Sequence, residues 1–394
     1  METVEDIVIV GADPAGLATA IGLQKKGVKS LVLESSPTIC TSGHVLGLWT
    51  NSWCALDALG IGDKVREHHT LIERLVLSSP RGTSAKISLQ GAKGKSGKLE
   101  FRSVRRDCLL GILAKELPKD TIRYSSKVVS IEEDGNLKLL HLADGSIIKA
   151  KVVVGCDGKN SAVDKYIGLK EPKFSGLLST QGFAEYPTNH GFKPEFLVIT
   201  GKGFHAGMLP CSERSIYWYF TWRPSNKDKI DQIMTKMRDF IIQKLTTSKA
   251  PKEIIEVIKR SEMDHVVSSS LKSRSLFSFT PEKITKKRNT CLIGEALKPL
   301  PVLGLHTELE ESVVLVRYLS DAVHKGKIEK ALEKFAHNRW DRIADLSIGA
   351  SMVQFIVKST YWFLRFRRFR MEEFWVMILA TELRRATDYD CGKL

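Results

Sequence analysis

The sequence predicts an α/β chain that opens on a nucleotide-type βαβ unit, continues into a second, strand-rich domain and ends in helices. Three observations carry this. Asp6-Ile7-Val8-Ile9-Val10 is a short apolar run that reads as a buried strand, and it leads straight into Gly11-Ala12-Asp13-Pro14-Ala15-Gly16. Short β-rich runs separated by turn residues recur between 71 and 279. A helical pattern then fills about Glu308 to Val357.

Taken in order, the first strand is followed by an amphipathic helix from Pro14 to about Lys26, closed by Gly27, and by a second apolar strand, Ser30-Leu31-Val32-Leu33. Glu34 ends that strand at the distance expected of a ribose-binding acid, so the unit reads as a Rossmann fingerprint with Gly11 and Gly16 as its outer glycines. Its middle glycine, which lets bare backbone approach a pyrophosphate at a helix N-terminus, is Asp13. An unscreened like-charge contact at about 4 Å costs on the order of 4 kcal/mol, roughly a thousandfold in affinity, so Asp13 is expected to repel a phosphate.

Downstream, a helix around Ser52 to Leu59 ends at Gly60-Ile61-Gly62, and strands follow at Ile72–Leu77 and Ala85–Leu89 between Gly, Ser and Lys turns. Arg106-Asp107-Cys108-Leu109-Leu110 starts an amphipathic helix reaching about Leu117, and the strand Ala150–Gly155 delivers Cys156-Asp157-Gly158 onto a turn. From Phe174 to about Phe279, strands such as Ile216–Trp222 alternate with helices, as in a sheet-based domain. The strand Thr290–Ile293 then presents Gly294-Glu295.

With 394 residues, 43% hydrophobic and 27% charged, the chain can bury a large core and is not disordered in composition. Its 60 Lys+Arg against 45 Asp+Glu give a net charge of +15, spread along the chain without a nucleic-acid module, so a solvated basic surface is expected and no nucleic acid. Seven widely spaced cysteines without a Cys-x-x-Cys pair argue against a disulfide framework and a structural zinc site. Met1 is followed almost at once by the first strand, with no targeting peptide and no apolar run of membrane-spanning length, so a cytoplasmic location is expected. The aromatic-basic tract from Tyr361 to Arg370, followed by Phe374–Leu379, reads either as a helix packed on the body or as a peripheral membrane contact.

The order of these motifs resembles the single-component FAD-dependent monooxygenases of the p-hydroxybenzoate and salicylate hydroxylase type, within them the plant branch related to zeaxanthin epoxidase. Trp53-Cys54-Ala55-Leu56-Asp57-Ala58-Leu59-Gly60, Val154-Gly155-Cys156-Asp157-Gly158-Lys159-Asn160-Ser161 and Tyr389-Asp390-Cys391-Gly392-Lys393-Leu394 carry the likeness. The resemblance implies a Rossmann-type FAD-binding domain built from the non-contiguous segments 1–70, 102–173 and 280–345. It also implies an inserted β-sheet substrate domain at 71–101 and 174–279, and a helical C-terminal tail at 346–394. It implies FAD, NAD(P)H as transient reductant, and hydroxylation or epoxidation of a small hydrophobic or aromatic metabolite. Gly11, Gly16, Glu34, Arg106, Asp157, Glu295 and Gly304 are the implied FAD contacts, and Gly158 and Pro299 also fit the pattern.

Four places depart from it. Asp13 replaces a phosphate-facing glycine, Cys40 stands where the branch carries an arginine, Glu295 replaces an aspartate, and only Gly304 remains of a Gly-Gln-Gly loop against the isoalloxazine. Asp13, Cys40, Glu295, Lys298, His306 and His44 are all ionisable. The pattern leaves open relaxed constraint on a decaying cofactor site, or a trench turned to acid–base work, with His306 as proton carrier and Glu295 or Glu308 as its partner. Three functions follow: an FAD-dependent monooxygenase with weakened flavin contacts, a flavin-free cyclase or isomerase on the same fold, and a non-catalytic binding protein. Asp157-Gly158-Lys159-Asn160-Ser161 also has a purely structural reading, a turn and helix cap.

Overall fold

The computed structural model describes residues 4–39, 45–78, 84–91, 93–94, 97–224, 236–297, 306–363 and 380–394. Its strands are β1 Val4–Val10, β2 Leu31–Leu33, β3 Val45–Leu48, β4 Arg74–Ser78, β5 Ser84–Ser88, β6 Lys93–Gly94, β7 Gly97–Lys98, β8 Arg102–Arg105 and β9 Ile122–Arg123. They continue with β10 Val128–Asp134, β11 Leu137–Leu142, β12 Ile147–Gly155, β13 Lys173–Glu185, β14 Glu195–Gly201, β15 Phe204–Pro210, β16 Ser215–Trp222, β17 Val267–Ser273 and β18 Thr290–Leu292. The helices are α1 Pro14–Lys25, α2 Thr50–Ala58, α3 Gly62–Arg66, α4 Arg106–Lys115, α5 Ala162–Ile167, α6 Met237–Thr247, α7 Lys252–Arg260, α8 Pro281–Ile284, α9 Glu308–Lys325 and α10 Ile328–Phe363.

The first sheet runs β10-β11-β12-β1-β2-β9, with β18 also paired to β12. The β2, β1, β12 and β18 strands are parallel and in register at their carboxyl ends, Val10 opposite both Leu33 and Gly155, and Gly155 opposite Leu292. Their apolar runs sit between layers: Ile7 and Ile9 face a cluster with α1, α2, α4 and α9, while Val8 and Val10 face one with α5 and the start of α10. Each Ile or Leu so buried contributes about 1.5–3 kcal/mol.

The expected amphipathic α1 is corrected by the structure. Pro14 through Leu23 are all buried, because the sheet, α4 and α9 enclose the helix, and the chain meets water only near Lys25. Elsewhere the expected elements form with ends moved by a few residues.

The second sheet runs β17-β13-β16-β15-β14-β4-β5. The alternation in β16 divides its faces: Ile216, Trp218, Phe220 and Trp222 pack under α6 and α7, while Tyr217 and Tyr219 turn to the other face. That second face closes over Trp49 and Phe101, whose rings stack at 4.0 Å, and so joins the sheet to the nucleotide-type domain. The fold is thus an α/β Rossmann domain bearing a sheet-based domain.

Candidate site at the carboxyl ends of the parallel strands

In an open parallel sheet, the crevice beyond the carboxyl ends of the strands is where ligands bind. Gly11, Glu34, Cys156 and Ile293 all emerge there, tied by Gly11 N–H to Leu33 C=O (2.8 Å), Cys156 N–H to Val10 C=O (2.7 Å) and Ile293 N–H to Gly155 C=O (3.1 Å). Gly11 has φ +105°, and a Cβ on it would lie 2.5 Å from the Cys156 carbonyl oxygen. A Cβ on Gly16 would lie 2.0 Å from the Gly11 oxygen. Packing alone therefore requires both glycines. Glu34 accepts the Ala12 N–H at 2.9 Å and the Ser36 N–H at 2.8 Å, which holds its carboxylate at the end of β2 where a ribose would meet it.

Asp13 precedes α1 in extended conformation, and its carboxylate is ion-paired with Arg106 at the start of α4. Burial pushes the Asp13 carboxyl above its usual range, Arg106 opposes this, and Glu295 and Glu34 add to the rise. The expectation of a bare repulsive charge is therefore corrected: the carboxylate is neutralised by the very arginine that the family resemblance assigns to the cofactor.

The N-terminal ends of α1 and α9 converge on Gly294. A Cβ there would stand 3.4 Å from Ala15 Cβ and 3.5 Å from Glu308 Cβ, and Ser312 donates to the Ala15 carbonyl at 2.9 Å. Such a focus of helix N-termini favours an anion. Here the chain supplies its own: Glu308, Glu310 and Glu311 fill the first turn of α9, and Glu311 accepts the Gly294 N–H at 2.8 Å and the Thr307 hydroxyl at 2.9 Å.

Glu295 is 61% exposed and lies 4.0 Å from Lys159 Nζ. Asp157 caps the following helix, accepting the Ala162 N–H at 2.7 Å through Oδ2, while its buried Oδ1 has no hydrogen bond and burial raises its pKa. Ser161 caps α5 through the Asp164 N–H at 2.8 Å. The turn-and-cap reading thus accounts for one Asp157 oxygen and leaves the other buried without a hydrogen bond. Asp164 is paired in turn with Arg274, which donates to the Leu297 carbonyl at 2.9 Å and pins the Gly294 turn from the second domain.

His306 is paired with Glu308, Nδ1 to Oε1 at 3.0 Å, and not with Glu295. Its carbonyl accepts from Asn51 Nδ2 at 3.0 Å and Ser52 Oγ at 2.9 Å, so α2 anchors the residue. Burial disfavours the charged imidazole, but the Glu308 charge and hydrogen bond, with Glu295 behind, outweigh it and raise the pKa. Asn51 and Ser52 were missed in the sequence, where they read as ordinary helix residues. Gly304, Lys298, Pro299, Cys40 and His44 lie outside the described residues, as does the aromatic-basic tract beyond 363.

The second domain forms an aromatic wall. Phe183, Phe196, Tyr217 and Tyr219 lie with Trp49 and Phe101 at the domain junction, and Tyr217 donates to Gln181 Oε1 at 2.5 Å. Burial pushes both tyrosine hydroxyls far up, so they stay neutral. Among the described residues no His, Cys, Asp and Glu group could hold a metal, and no helix is long and apolar enough to cross a membrane.

Measured against FAD, the site fits at one end. Glu34, Gly11 and Gly16 suit an adenosine ribose and the turn beneath it, and Asp157 Oδ1 is an orphaned acceptor. The pyrophosphate position does not fit, because Asp13 and Arg106 satisfy one another there and Glu308 and Glu311 crowd the adjoining helix ends.

Comparison with known proteins defines the class. Residues 5–277 match the FAD binding domain family, and the chain belongs to the FAD-dependent monooxygenases. It is 36% identical to Monooxygenase 2 of Arabidopsis thaliana over 408 aligned positions, covering 99% of this chain and 98% of that one. Identity with Monooxygenase 1 of the same plant is 29%, covering 98% and 99%. Among solved structures, Klebsiella pneumoniae HpxO complexed with FAD and uric acid shares the fold, with a TM-score of 0.77 at 20% identity over 96% of this chain and 97% of that one.

Proposed function

We propose that this chain is a diverged monooxygenase-family enzyme that acts on a small hydrophobic or aromatic metabolite and holds FAD weakly. The observation that supports this is the Asp13–Arg106 ion pair, which joins the residue standing for the fingerprint's middle glycine to the arginine that the family resemblance assigns to the cofactor. Family membership and the aromatic junction of Trp49, Phe101, Phe183 and Tyr217 support the substrate class, since conjugated apolar compounds pack well against such rings. The family reaction draws on NAD(P)H and oxygen through bound flavin, so its rate here is limited by how much FAD the altered site retains.

The test is flavin content and affinity. The purified protein is expected to carry well under one FAD per chain. Asp13→Gly should bind added FAD tighter by about tenfold or more in a fluorescence titration, because it restores bare backbone and releases Arg106. A native protein with one FAD per chain, or a variant that binds no better, overturns the reading. A second reading, a reaction that needs no flavin, is favoured by the His306–Glu308 pair.

A further inference from the structure

His306 and Glu308 form the arrangement by which proteins orient an imidazole for proton transfer: a carboxylate on Nδ1 sets the tautomer and leaves the Nε2 lone pair to a reacting group. Three features of the pair bear on what it can do. The imidazole is 25% exposed and Glu308 19%, enough shelter to strengthen the pair and enough access for a ligand. The carbonyl of His306 accepts from Asn51 and Ser52, so its backbone is tied to α2. The pair also stands at the convergence of α1, α9 and the Gly294 turn, within the trench that the fold reserves for a small molecule.

Among the described residues, the charged groups around the pair come from several elements, and Asn51, which holds the His306 carbonyl, also donates to Glu310 on α9. Glu308 lies on the helix that His306 precedes, Glu295 on the Gly294 turn with Lys159 beside it, and Asp13 with Arg106 at the start of α1. Glu311 is engaged with Gly294 and Thr307, and α2 contributes the neutral Asn51 and Ser52.

We propose that His306, positioned by Glu308, is a general base that moves a proton within an enolisable, β,γ-unsaturated carbonyl compound and brings its double bond into conjugation, an isomerisation that requires no flavin. The inference rests on the reading that FAD leaves this trench largely open. Nε2 takes a proton from the carbon beside the carbonyl, and the C–H electron pair becomes the C=C bond of an enolate whose charge lies on oxygen. The imidazolium then returns the proton to the far carbon of the conjugated system. The electron pair of the original C=C bond forms the new C–H bond, and the carbonyl is regenerated. Substrate and product are isomers, so no oxidant or reductant enters. Lys159, 4.0 Å from Glu295, is the cation that would serve the developing oxyanion, and the aromatic junction suits an apolar substrate body.

Allyl phenyl ketone provides the probe, because its conversion to the conjugated propenyl ketone is followed by ultraviolet absorbance. The full chain is assayed anaerobically without nicotinamide, with and without added FAD. Wild type is expected to accelerate conjugation over buffer, and His306→Ala to lose about a hundredfold, the usual share of a positioned acid–base group. Glu308→Gln should slow the reaction and move the acid limb of the pH–rate profile to lower pH, a change that a merely structural role would not produce. His306→Gln, nearer in shape, guards against loss of fold in the alanine variant, and melting curves check both. A wild-type rate equal to buffer, a His306→Gln protein of full activity, or an unmoved profile in Glu308→Gln overturns the proposal. Stoichiometric FAD binding that leaves the rate unchanged would sink the weak-flavin reading alone and leave the base standing. A missing rate with FAD unbound would do the reverse.

Discussion

Asp13 replaces, with one side chain, part of what a bound phosphate would do: it lies at the N-terminal end of α1 and neutralises Arg106. Burial raises the Asp13 carboxyl in spite of Arg106, so the ion pair offsets a desolvation cost at this helix end. His306 shows the same economy at α9, where its partner Glu308 lies in the first turn. This pair also fixes a pH dependence of folding. The imidazole pKa is raised above its ordinary 6.5 in the folded protein, despite burial, by Glu308 and Glu295. Its contribution to stability is therefore complete below about pH 6.5 and is lost as pH rises through the raised folded value. In urea titrations across that window, wild type should lose more stability with rising pH than His306→Gln does. Parallel curves for the two proteins would show that the pair does not couple proton binding to folding.

At the scale of elements, the βαβ unit was legible because its signals are local: an apolar run, a glycine turn, a helix start and Glu34 all fall within 34 residues. The interior position of α1 was not, since ten consecutive buried positions depend on α4 and α9, which arrive from distant sequence. The site divides the same way. Asp13, Glu295 and His306 stood out as departures from a pattern, whereas the Asp13–Arg106 and Asn51–His306 contacts join segments 93 and 255 residues apart and leave no trace in either. The glycines carry the clearest element-scale prediction. Gly16→Ala places a Cβ 2.0 Å from the Gly11 oxygen and 3.3 Å from Ile9 Cγ2, so α1 must move off β1. A loss of about 1–3 kcal/mol in denaturant unfolding is expected of the flavin-free protein. A neutral substitution would mean that the helix and strand are less closely packed than the structure describes, and that phosphate binding remained the reason for glycine.

Across the whole molecule, a buried charge cluster beneath the first turn of α9 ties the C-terminus to the body. Glu310 is 0% exposed and meets Arg339 at 3.2 Å and Arg342 at 3.1 Å, while Asn51 donates to it from α2 at 3.0 Å. Tyr389, from the returning C-terminal strap, lies over both guanidinium groups at 5.1 and 4.4 Å and accepts from Arg339 at 2.5 Å. Arg317 holds the same strap through the Cys391 carbonyl at 2.7 Å. Since Asn51 also grips the His306 carbonyl, the cluster links the C-terminus to the candidate base through one side chain. Tyr389→Phe keeps the ring and removes the hydroxyl from a charged donor, which should cost about 1.5–3 kcal/mol. Tyr389→Ala also removes the ring from two buried cations and should cost more. Both variants should unfold at lower urea concentration, the alanine form further, and amide exchange should quicken at 306–312 along with the strap. Unchanged protection at 306–312 in a destabilised Tyr389→Ala protein would show that the strap stabilises the helical layer without reaching the site.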